Sequence, residues 1–125
     1  MEKAVQNWLD SAQYDLETAE YLFNSGRYVY IIFISHLAIE KLIKARFQQL
    51  TGKTPPKIHN LEYLAELAEL KFPAKLKKFL VKMSNLSLCY PEDFSGVLKV
   101  FDQKSSQKFL EKAKQAFQWI KQLIQ

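Results

Sequence analysis

With 125 residues, 48% of them apolar and 25% charged, the chain is long enough for one folded domain with a real core and too apolar to be disordered. Three glycines and four prolines argue against an all-β fold built on many tight turns, and no apolar run is long enough to span a bilayer. The net charge of +5 permits an anionic partner without requiring one.

One cysteine, Cys89, excludes an internal disulfide and suits an intracellular setting. The start, Met1-Glu2-Lys3-Ala4, is not a signal peptide, so a cytosolic protein is expected.

Glu2 to Asn24 is predicted to form the first helix. Val5, Trp8, Leu9, Ala12, Leu16, Ala19, Leu22 and Phe23 recur three or four apart. Gln6, Asp10, Gln13, Glu17 and Glu20 are expected to face solvent, and Asp15 is grouped with Glu17 and Glu20 on that solvated face. Gly26 suits the left-handed position just past a helix end. So short a turn sends the next helix back antiparallel.

Arg27 to Leu50 contains neither Gly nor Pro and is predicted to be the central helix. Its first half, Tyr28–Ile34, is apolar nearly all round and is expected to be buried on all sides. A buried strand there is the competing reading. His36, Glu40 and Lys44 are spaced four apart and rise along one side of the helix, with Lys41 close to that row. Lysines attract phosphate, and a histidine titrating near neutrality can donate or accept a proton. The four residues are therefore candidates for holding a nucleotide or RNA phosphate. The alternatives are that Glu40 pairs with Lys44 or His36 along the helix, or that this polar half caps a dimer interface.

Thr51 to Ile58 is a loop by composition. Gly52-Lys53-Thr54 imitates the end of a phosphate-binding loop, but the upstream glycine is missing. A third helix opens at His59-Asn60-Leu61, with Asn60 as N-cap and Glu62 in the first turn, and is expected to close at Lys71. Pro73 can start a fourth helix, whose stripe of Leu76, Phe79, Leu80 and Met83 is surrounded by lysines. That cluster is a solvated face or a phosphate-attracting surface. Leu86 to Gly96 is expected to be irregular, with Tyr90 and Phe94 the aromatics best placed for a ligand. The last helix is expected to start near Ser105 or Ser106, either able to cap it. The predicted fold is all-α, an up-and-down four-helix bundle with a short extra helix, forming one domain over residues 1–125. Two histidines without further ligands at helical spacing do not make a metal site, and no cofactor is expected.

Several motifs in this order resemble the HEPN domain, in particular the small prokaryotic single-domain HEPN proteins. The resemblance covers nearly the whole chain. It rests on Trp8 with Ala12, Asp15-Leu16, Ala19 and Leu22; on Gly26-Arg27-Tyr28; on Ser35-His36-Leu37-Ala38-Ile39-Glu40-Lys41-Leu42-Ile43-Lys44-Ala45; on His59-Asn60-Leu61; and on Cys89-Tyr90-Pro91. Leu37 stands where the family usually has Gln, and Cys89 where it usually has Arg.

The resemblance implies a nucleotide- or RNA-binding module with candidate contacts at His36, Glu40, Lys41, Lys44, His59 and Tyr90. It also implies a homodimer packed through its central helices, and a minimal nucleotidyltransferase as partner in a toxin–antitoxin-like pair. Ribonuclease members of the wider superfamily use an Arg followed closely by a His. Here Arg27 precedes His36 by nine positions and Arg46 precedes His59 by thirteen, which does not fit. Two alternatives stay open: an atypical metal-independent ribonuclease using His36 or His59 with nearby lysines, and a purely structural helical subunit.

Overall fold

The structure, a computed structural model, describes residues 1–124. Among these it contains six helices and no strand: α1 (Lys3–Asn24), α2 (Val29–Thr51), α3 (Leu61–Leu67), α4 (Ala74–Cys89), α5 (Phe94–Val100) and α6 (Gln103–Lys121). The four long helices form the bundle, and α3 and α5 are the short additions, one more than the sequence suggested.

Helix α2 is the hub, packing against α1, α3, α4 and α6. Its Ile31, Ile32, Ile39, Leu42 and Ile43 are essentially inaccessible. They meet Val5, Ala12 and Ala19 of α1, Leu64 of α3, Met83 of α4, and Phe117 and Ile120 of α6 in one hydrophobic core. Burying each large aliphatic side chain contributes roughly 2 kcal/mol, which outweighs the modest helix propensity of this β-branched run. The strand alternative for Tyr28–Ile34 fails for that reason: one continuous helix buries the same residues without leaving backbone groups unpaired. Burial on all sides also fails, because Tyr30 and Phe33 remain 44% and 43% exposed.

The turn after α1 follows the sequence reading. Gly26 takes a positive φ of 76°, and the N–H groups of Gly26 and Arg27 donate to the carbonyls of Phe23 and Leu22. Helix α3 stops at Leu67, short of the expected Lys71. Glu69 adopts a left-handed φ of 54°, its N–H donates to Glu66, and that of Leu70 donates back to Ala65. This closes the helix in the manner usually reserved for glycine. The turn drives Leu70 into the core and brings Phe72 against Trp119, with ring centroids 4.8 Å apart.

Two further boundaries differ. Leu86–Cys89 continues α4 and Phe94–Val100 is helical, so only the turn around Pro91 separates two helices where a longer irregular segment was expected. Val97 and Phe101 anchor α5 to the core. Helix α6 begins at Gln103. Asp102 caps it by accepting from the Ser105 N–H at 2.9 Å, while Ser106 is buried and donates to the Gln103 carbonyl.

Candidate functional site

The second half of α2 carries its charges inward. The Lys44 ammonium is buried, donates to Glu40 Oε2 at 3.2 Å, and lies 5.7 Å from the ring centroid of Trp8 on α1. Trp8 Nε1 in turn donates to Gln48 Oε1 at 2.9 Å. One turn before Lys44, Lys41 Nζ sits 2.7 Å from Asp15 Oδ2 and donates to Ser11 Oγ at 2.7 Å. These links set the antiparallel register of α1 on α2. They also correct the reading of Asp15, which is mostly buried in an ion pair and does not belong to the solvated face of α1. Glu17 does face solvent, and Glu20 reaches Lys114 on α6 at 3.5 Å.

Glu40 is the centre of the polar arrangement. Its carboxylate is 4% exposed and is approached from three directions. Lys44 comes from within the helix, His59 Nδ1 from the loop before α3 at 2.9 and 3.0 Å, and His36 Nδ1 lies 3.9 Å away one turn earlier. A carboxylate facing Nδ1 fixes the proton there in the neutral imidazole, so Nε2 of His59 presents a lone pair outward. The His59 side chain is 78% exposed, so this nitrogen is open to solvent. His36 is held below the usual histidine pKa, first by burial. The nearby Glu40 carboxylate opposes that shift and His59 adds to it. Glu40 and Lys44 thus form the buried ion pair, with the two histidines completing the carboxylate's surroundings.

His36, Glu40 and His59 line a cleft of about 600 Å³ between α2, the N-terminus of α3, and α4. Phe33, Leu37, Val81 and Leu88 supply its apolar wall. Asn60, Ser84, Asn85 and Ser87 supply neutral donors and acceptors. Asn60 also caps α3, accepting from the Tyr63 N–H at 2.9 Å.

Of the six residues singled out from sequence, the fold brings His36, Glu40 and His59 to one cleft. Lys41 and Lys44 lie outside it, each engaged in an ion pair toward α1 or Glu40. Tyr90 is at the end of α4, with its ring edge-on to Tyr30 at 6.4 Å. The α4 residues of the cleft went unnoticed in the sequence, because serines, an asparagine and an exposed leucine carry no distinctive spacing. No group of three or more His, Cys, Asp or Glu side chains among the described residues could hold a metal ion, and no described helix is long and apolar enough to cross a membrane.

The family model of the HEPN domain matches residues 5–123. A crystal structure of TT1696 from Thermus thermophilus superposes with a TM-score of 0.76 at 17% identity, covering 97% of this chain and 98% of that one. The crystal structure of ST0689, an archaeal HEPN homologue, superposes with a TM-score of 0.69 at 23% identity over the full length of both chains. At these identities the likeness concerns the fold. Comparison with curated proteins finds no match.

Proposed function

Because this chain belongs to the HEPN domain family, we propose that it is a nucleotide- or RNA-binding module whose ligand enters the cleft between α2, α3 and α4. The observation that carries the reading is the His59–Glu40 pair. A buried carboxylate orients an exposed imidazole at the rim of a cleft with apolar walls and amide groups. Such a lining suits a nucleobase between Phe33, Leu37 and Leu88, with Asn60 or Asn85 on its polar edge and His59 toward the sugar or phosphate. Lys41 and Lys44 then serve as supports of Glu40 and of the α1–α2 packing. Titration with ATP tests this: saturable binding weakened tenfold or more by His59→Ala supports it, and binding indifferent to His59 contradicts it.

The module acts as a homodimer in this reading. Tyr30, exposed on the first half of α2 and outside the cleft lining, gives the central helices an apolar surface to share. Its partner is a minimal nucleotidyltransferase, in a toxin–antitoxin-like pair within the cytoplasm. Co-expression with such an enzyme followed by co-purification tests that pairing, and separate elution of the two proteins contradicts it.

One observation favours the ribonuclease alternative. A histidine backed by a carboxylate at Nδ1, with Nε2 free, has the arrangement of a general base. Cleavage of a structured RNA that disappears in His59→Ala is the result this alternative requires.

A further inference from the structure

Charge is unevenly distributed along this chain. Helices α4 and α6 carry nine of the eighteen basic residues and one of the thirteen acidic ones. Their net charge is +8, which leaves −3 for the remainder against +5 overall. The two helices flank a groove of about 740 Å³, with Lys75, Lys78 and Lys82 on the α4 wall and Lys108 and Lys112 on the α6 wall. No carboxylate lines it, and none of the five lysines forms an ion pair among the described residues. All five are exposed. The groove shares no lining residue with the His36–Glu40–His59 cleft and lies on the other side of α4.

We infer that this lysine groove is a second binding site, and that it takes the phosphodiester backbone of a single-stranded nucleic acid. Five like charges held together repel one another, and a polyanion relieves that repulsion while releasing its own counterions. Lysine on both walls places positive charge on either side of a strand lying along the groove. Protein–protein interfaces are depleted in lysine, whereas nucleic-acid interfaces are strongly positive, so phosphate fits better than an acidic polypeptide.

The floor of the groove sets the mode of recognition. Phe79 and Phe101 pack edge-on against Phe109, with centroids 5.1 and 5.4 Å away, and all three rings are buried. Rings occupied with one another offer no platform for base stacking. Binding is therefore electrostatic and indifferent to base identity.

The test is fluorescence anisotropy with labelled 20-nucleotide oligo(U) and oligo(A) RNA over a range of KCl concentrations. Five phosphate contacts give a slope of log K against log salt of about −3.5, so a fourfold rise in salt lowers affinity by about 100-fold. Lys78→Ala/Lys82→Ala/Lys108→Ala is expected to flatten that slope by about two units. Lys53→Ala/Lys57→Ala, in the exposed loop after α2 and outside both the groove and the cleft, is expected to leave it unchanged. Absent binding to either RNA, or an unchanged slope in the triple variant, overturns the proposal. Binding of polyglutamate of equal length as tight as that of oligo(U) overturns the assignment to phosphate.

Discussion

The Glu40 carboxylate accepts from His59 Nδ1 at 2.9 Å, tying the loop before α3 to the middle of the central helix across nineteen positions of sequence. The same carboxylate neutralises the buried Lys44. Glu40→Gln leaves that ammonium without a counter-charge, and breaking a buried pair from one side costs about 3–5 kcal/mol. Glu40→Gln/Lys44→Met, which removes both charges, is expected to recover most of the loss. Urea denaturation of the three proteins measures the difference, and equal midpoints for the single and double variants contradict it.

Lys41 has a different assignment. Its pairing with Asp15 holds α1 against α2. Lys41→Ala is expected to lower stability by about 1 kcal/mol, with a double-mutant cycle against Asp15→Ala showing coupling of similar size. ATP affinity should stay within about twofold of wild type. A large loss of affinity with normal stability would restore Lys41 as a ligand contact.

Acid should weaken the fold through His36. Its pKa is depressed in the folded state, so the unfolded chain binds the proton more tightly. The stability this contributes is complete above the ordinary histidine value of 6.5 and is lost as pH falls below it toward the depressed value. The slope from one such group is at most about 1.4 kcal/mol per pH unit. Denaturation midpoints of wild type and His36→Gln between neutral pH and mild acid are expected to converge. Parallel profiles would show that His36 is not the group responsible.

For the homodimer, Tyr30→Glu is the informative change, since the residue is exposed in the monomer and its loss should leave the fold intact. Sedimentation is expected to give a dimer for wild type and a monomer for the variant, with unchanged helical circular dichroism. A wild-type monomer at micromolar concentration removes the dimer from the proposed function.

The bundle was legible because its long helices announce themselves through spacing: Val5, Ala12, Leu16 and Ala19 on α1, and Phe109, Ala113, Ala116 and Phe117 on α6, are buried as their periodicity predicts. The end of α3 was not, because Glu69 occupies a left-handed position that sequence normally marks with glycine. Helix α5 was hidden because seven residues with Gly96 among them give too few turns for a pattern. At the site, the four-residue spacing correctly put His36, Glu40 and Lys44 along one side of α2. It carried no information about which charges α1 would claim, so the lysines that looked most available for phosphate are the ones folded inward. The union of His59 with Glu40 is a tertiary event, set by where the loop returns after Thr51.

The most direct measurement follows the imidazole resonances of His36 and His59 during titration with ATP. Occupation of the cleft predicts that both rings shift together and saturate, and that His59→Ala weakens binding at least tenfold. If neither ring responds while ATP binds elsewhere or not at all, the α2–α3–α4 cleft is not the nucleotide site.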